Sequence, residues 1–313
     1  MTQPPMNAPA AAPTEALLDT AVFHICSRTA LADARTAGVY RADSLVGEGF
    51  VHLSRSHQVL PTARAYYDGV PDLVLLVVDP TLLTAPLVYE APAPLSTAAT
   101  ASSLNVDARA SELFPHCYGP INLDAIIDVI DLARFDGRSI HADTVAVLRH
   151  YRFDRLPIEG TWYRSTWRST LDDARGKPAG TAMIGMYANS PESISCFHRL
   201  SHAEVWHAYA GDPFTLFLLH ADGQSETVLM GTDPRAGQVV QFVVPAGVWQ
   251  AGGLVPDGRY ALFGCTMAPG FTGDCFEAGV ATALIAAYPA HAELIQRYAV
   301  RGSATRMPQG FAG

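Results

Sequence analysis

Two groups of side chains in this sequence could do chemistry. The first lies in residues 198–211, HRLSHAEVWHAYAG, where His198 and Glu204 flank a short turn signal and run into a strand-like segment. An imidazole with an ordinary pKa of about 6.5 suits proton abstraction at neutral pH, and a neighbouring carboxyl can orient it or act as the acid. The same pair could instead be a buried hydrogen-bonded couple that only satisfies two polar groups. His207 is a further candidate for acid–base work. Strict strand alternation, however, puts it on the face opposite Glu204. The second group is N-terminal: FHICSR (23–28), EGFVHLS (48–54) and ELFPHCYGPI (112–121) each set a histidine in an apolar, strand-like context. If the three segments converge, His24, His52 and His116 line a polar pocket with Ser27, Ser54 and Tyr118 as hydrogen-bonding partners. Satisfied core histidines are the bland alternative, and a three-histidine metal site is a further one.

The elements that would hold these groups differ between the two halves of the chain. Before residue 133, short apolar segments alternate with a helix. AVFHICSR (21–28) is strand-like, 29–38 reads as a helix stopped by Gly38, and LVLLVV (73–78) reads as a buried central strand ended by Asp79-Pro80. AIIDVIDL (125–132) is another strand, and the Ala/Pro/Ser/Thr-rich stretch 91–111 reads as an insertion loop. RFDGRS (134–139) is the best boundary. After a helix at Asp143–His150 come many short strands: 182–187, 194–200, 204–209, 214–220, 226–230, 239–244 and 260–266. Asp222-Gly223 signals a two-residue hairpin. Such spacing with Gly/Pro turns predicts a jelly roll or barrel. Residues 278–299 are helical around Pro289, and the last twelve look frayed. The expected organisation is a disordered tail (1–20), an α+β domain (21–133), a linker (134–141), an all-β jelly-roll barrel with flanking helices (142–300) and a tail (301–313).

The C-terminal motifs resemble the cupin signature. His198, Glu204 and Gly211 fall where the first cupin motif has a histidine, a glutamate and a glycine, and Pro245 and Gly247 match the second motif. Leu200 and Gln250 stand where cupins carry two more histidines. Together EGTWYRSTWRS (159–169), FHRLSHAEVWHAYAGDPF (197–214), VPAGVWQAG (244–252) and FGCTMAPGF (263–271) resemble the cupin-5 group, family 985, whose fold is similar to sugar-nucleotide 3,5-epimerases. The resemblance implies a pocket lined by His198, Glu204, Trp206, Gln250, Thr266 and Phe271. It also implies isomerase or epimerase-type chemistry on a sugar- or nucleotide-like metabolite. A metal-dependent alternative would use His198, Glu204 and Gln250 as ligands to a divalent ion, with His207 as an optional further one, and a third alternative is a sensor that only binds. The N-terminal segments resemble domain-of-unknown-function family 952, grouped with the ADP-ribosyltransferase-like split-sheet proteins. That resemblance implies an NAD-like ligand, with His24 at the ribose and His52 as a second polar position.

Composition narrows the classes. The 313 residues carry 21 Lys+Arg against 30 Asp+Glu, a net charge of −9, with no basic block, so a phosphate-coating nucleic-acid partner is not expected. The five cysteines are scattered and never form a CxxC pair, which fits a reducing, cytoplasmic setting without disulfides. No apolar run reaches the roughly 18 residues of a membrane span. A homodimer through the C-terminal domain and a small-molecule substrate complete the expectations.

Overall fold

The computed structural model describes residues 20–91 and 112–311. The insertion loop (91–111) and the N-terminal tail (1–20) read from the sequence lie outside these residues, apart from positions 91 and 20. The chain divides into two units, Met1–Ser139 and Ile140–Gly313.

The first unit is α+β. Its elements are β1 (Val22–Ser27), α1 (Arg28–Ala37), β2 (Val39–Tyr40), α2 (Ser44–Gly47), β3 (Val51–His52), α3 (Ser56–Tyr66), β4 (Leu73–Val78), β5 (Leu87–Glu90), β6 (Phe114–Cys117), β7 (Ile121–Asn122) and β8 (Ile126–Asp131). They form three short antiparallel sheets, β1-β4-β8, β2-β7 and β3-β6-β5. The strand β4 is central, and Val74–Val78 are fully buried, which is why it reads as an unbroken apolar run. Ser27 ends β1 and caps α1 by accepting from Ala30 N, and Gly38 closes that helix in the left-handed region. In the expected linker, Phe135 is buried against Phe23, with ring centroids 5.1 Å apart.

The second unit is mostly β. It runs α4 (Ala142–Tyr151), β9 (Asp154–Arg155), β10 (Trp162–Arg168), β11 (Thr181–Asn189), β12 (Glu192–Ser193), β13 (Ser195–Leu200), β14 (Glu204–Gly211), β15 (Phe214–Leu219), β16 (Ser225–Met230), β17 (Gln241–Val244), β18 (Trp249–Leu254), β19 (Ala261–Met267), β20 (Phe276–Ala278), α5 (Ala281–Ala287) and α6 (Ala292–Tyr298). One sheet has the order β17-β14-β19-β11-β10-β9, with β12 on β11, and the other has the order β16-β15-β18-β13-β20. The two sheets share a core built around Tyr187, Trp206, Phe214 and Phe263. The expected barrel is therefore a pair of open sheets: the end strands β17 and β9 of one, and β16 and β20 of the other, each pair with a single neighbouring strand.

Three further expectations change. The sequence reading places no strand over β18, whose apolar pattern is interrupted by Gly252 and Gly253. A Cβ at either position would meet a tyrosine hydroxyl at 2.7 Å, Tyr187 in one case and Tyr298 in the other, so the glycines mark close packing inside a strand. The Asp222-Gly223 hairpin is longer than two residues: His220 N still bonds Gln224 O, leaving 221–223 as the loop with Gly223 at φ +87°. The expected frayed end instead packs, with Met307 and Phe311 against Cys275, Phe276 and Phe271.

Candidate active site

The strands β13 and β14 belong to different sheets, joined by the turn at 201–203. The fold thus brings His198 and Glu204 toward one interior from facing walls. Along β14 the burial alternates, with Glu204 and Trp206 inward and Val205 and His207 outward. His207 meets Thr266, its Nε2 3.2 Å from Thr266 Oγ1, and its Nδ1 lies 3.3 Å from Gln241. Two of the expected site residues, His207 and Thr266, therefore pair with each other on the outer face. The period of two in a strand is the reason.

Inside, a cavity of about 60 Å³ is lined by Glu159, Ser195, His198, Glu204, Trp206 and Cys265, with Leu156, Met183, Leu200, Met267 and Phe271 among its apolar walls. His198, Glu204, Trp206 and Phe271 were all expected here. Gln250 lies beneath them, opposite His198 across the β13–β18 ladder. Its Oε1 accepts from Trp206 Nε1 at 2.9 Å and its Nε2 donates to Glu204 Oε2 at 2.8 Å. That chain fixes the carboxyl of Glu204 in place.

The electrostatics separate the groups. Burial holds the Glu204 carboxyl above the usual carboxylate range, and nearby Glu159 adds to this while His198 opposes it. Burial pushes the Cys265 thiol well up, and it bonds Glu204 as a neutral donor. The Nδ1 of His198 donates to Cys196 O at 2.8 Å, and the ring stacks on Phe276. Its Nε2 has no hydrogen-bond partner among the described residues, and His198 lines the cavity, so this is the nitrogen left for a ligand. Glu159 Oε2 stands 3.5 Å from Nδ1, and both side chains are under a tenth exposed.

Glu159 is the residue that the sequence reading missed. It sits in EGTW (159–162), directly before Gly160 at φ +78°, and no strand period assigns it a face. The neighbouring Thr161 is fully buried: its hydroxyl donates to Ile194 O at 2.8 Å and lies 3.1 Å from Ser195 Oγ, which in turn accepts from Tyr187.

The donor set does not fit a cupin-type metal. Leu200 is apolar where a second imidazole is needed, and both ends of the Gln250 amide are already spent on Trp206 and Glu204. Among the described residues no group of three His, Cys, Asp or Glu side chains is placed to hold an ion.

The N-terminal histidines do not share one pocket. His24 is buried, with Nδ1 donating to His52 O and Nε2 accepting from Tyr40 OH, each at 2.7 Å, so its ring has no nitrogen left for a ribose. Burial pushes that imidazole down to about 4, keeping it neutral. Ser27 is a helix cap, and Ser54 is buried with its backbone paired to Phe23. His52, His116 and Tyr118 do gather, around Phe50 and Glu90.

Residues 146–279 match the family model described as Cupin superfamily (DUF985), and residues 25–129 match Protein of unknown function (DUF952). A crystal structure of a Shewanella oneidensis protein is 30% identical over 49% of this chain and 95% of its own, with a TM-score of 0.46. A hypothetical protein from Leishmania major is 27% identical over 49% and 97%, with a TM-score of 0.45. A Caulobacter crescentus protein is 26% identical over 36% and 85%, with a TM-score of 0.30. No curated protein is detectably similar.

Proposed function

We propose that this chain, which joins a DUF952 domain to a Cupin_5 domain of the cupin superfamily, binds a small polar metabolite in the C-terminal cavity and isomerises or epimerises it by acid–base chemistry. One observation carries the reading: a histidine with an unbonded Nε2 and a carboxyl that burial raises above the usual carboxylate range line the same mostly apolar cavity. A carboxyl raised by burial beside an imidazole, in a concave site, is the arrangement from which acid–base pairs are built.

In this mechanism His198 Nε2 takes the proton from a carbon next to a carbonyl, while Glu204 gives its proton to the carbonyl oxygen. The reverse transfers, with the proton returned to a different carbon or face, complete the reaction without any net change of protons. Glu159 stabilises the imidazolium formed on His198, through the Nδ1 side. Cavity size limits the substrate. A water needs roughly 10–15 Å³ measured in this way, so about 60 Å³ admits only a handful of heavy atoms. A larger sugar or nucleotide enters only by its reacting end.

The test is turnover of a panel of small hydroxy-aldehydes, hydroxy-ketones and sugars by the wild type and variants. Glu204→Gln and His198→Asn should each lower turnover on the order of 10²–10⁴-fold, and the double variant should be little worse than either. Undiminished turnover in both single variants would remove the acid–base reading, and ligand binding without turnover would favour a sensor.

A further inference from the structure

The cluster around His116 in the N-terminal unit takes no part in the function above. His52 and His116 are direct partners across the β3–β6 ladder, so their side chains leave the same face of the sheet. Each imidazole has a carboxylate on one nitrogen: His52 Nε2 lies 3.1 Å from Glu48 Oε2, and His116 Nδ1 lies 3.0 Å from Glu90 Oε2. Glu90 Oε2 also accepts from Tyr118 OH at 2.7 Å, and these two hydrogen bonds hold its carboxyl below the usual range. Behind the pair, Phe50 stacks on His116 with centroids 4.2 Å apart.

The His116 side chain is 4% exposed. Its Nε2 nevertheless has no hydrogen-bond partner among the described residues. A buried imidazole that spends one nitrogen on a carboxylate and presents the other with its lone pair bare is the usual arrangement behind a metal ion, where the carboxylate fixes the tautomer and raises ligand basicity. His52, about half exposed, likewise spends Nε2 on Glu48 and has no partner on Nδ1 among the described residues.

The separation of the rings agrees. Two imidazoles on one tetrahedral ion, with metal–nitrogen bonds of about 2.0–2.1 Å, have ring centres roughly 5.3 Å apart. The ring centroids of His52 and His116 are 5.2 Å apart, with planes at 88°. Glu48 and Glu90 supply negative charge beside them, which favours a cation over an anionic ligand. Imidazole nitrogen with carboxylate behind it suits the late divalent transition ions, zinc foremost, over magnesium or calcium.

We propose that His52 and His116 form a two-histidine site for a divalent transition-metal ion, with Glu90 orienting His116 and water completing the coordination. Two protein ligands make this an exchangeable site with open positions, unlike the closed four-ligand sites that hold structural zinc.

The experiment titrates chelator-stripped full-length chain with zinc chloride against a chromophoric chelator, and separately with cobalt(II), read by its visible absorption. The wild type should bind one equivalent that gives a tetrahedral-type cobalt spectrum. His52→Gln, at an exposed position, should lose the spectrum and weaken zinc binding at least tenfold while its melting temperature without metal stays unchanged. His116→Gln should do the same to binding, and Glu90→Gln should weaken it 10–100-fold. His198→Asn, in the other unit, should bind as the wild type does. No binding by the wild type, binding untouched by His52→Gln, or binding lost only in His198→Asn would each overturn the proposal.

Discussion

Histidines in this chain look alike in sequence and differ in what surrounds them. His24 spends both ring nitrogens on His52 O and Tyr40 OH, and desolvation lowers its pKa from 6.5 to about 4. The unfolded chain thus binds a proton that the folded unit refuses. Stability from this residue is present above pH 6.5 and is lost as pH falls toward 4, by up to about 3 kcal/mol. Urea unfolding of the N-terminal unit at pH 7 and pH 4.5 should show that loss in the wild type, and His24→Gln should show little of it. Equal losses would mean that another group titrates. Glu204 has the opposite sign. Its raised carboxyl favours the folded state at low pH, and that contribution fades as pH rises from the ordinary carboxyl range through its raised value. Glu204→Gln keeps an acceptor for Gln250 Nε2 and should flatten this decline in the melting temperature against pH. A decline as steep as in wild type would place the titration elsewhere.

Element by element, the parts legible in the sequence are those with a strong period or a strong breaker. The apolar run of β4, the glycine stop of α1 and the alternation in β14 all survive, and the last of these correctly sends His207 to the outer face. What was not legible depends on contacts far apart in the chain. Glu159 reaches His198 from a loop that no period governs, and β18 hides behind glycines needed by Tyr187 and Tyr298. Thr266 was assigned to the pocket by motif alone, and its strand register turns it outward beside His207. Gly211, the last residue of the His198–Glu204 motif, has a checkable physical role. It ends β14 at φ +88°, and a Cβ there would stand 2.3 Å from Tyr260 O. Gly211→Ala should cost about 1–3 kcal/mol from the backbone conformation alone, with more from the overlap, as read by chemical denaturation. A change within about 0.5 kcal/mol, the scatter of ordinary surface substitutions, would contradict that role.

At the scale of the whole molecule, each unit has its own apolar core, one around Val74–Val78 and the others between and beside the two C-terminal sheets. A fragment covering 140–313 should therefore fold alone and show one cooperative transition; a fragment that aggregates or lacks tertiary signal would contradict this. On the outer face of the larger sheet, Tyr209 of β14 and Val243 of the edge strand β17 are about half exposed. Light scattering should report twice the 33.5 kDa chain mass if that face pairs two copies, and a monomer at micromolar concentration would exclude it. No helix among the described residues is long and apolar enough to cross a membrane. The central claim, acid–base chemistry in the C-terminal cavity, is tested most directly by proton exchange in D₂O. Small carbonyl metabolites incubated with the full chain should gain deuterium at the carbon next to the carbonyl, followed by NMR, with the rate falling on the order of 10²–10⁴-fold in Glu204→Gln. Exchange at the same rate in Glu204→Gln and His198→Asn, or none with metabolites shown to occupy the cavity, would contradict it.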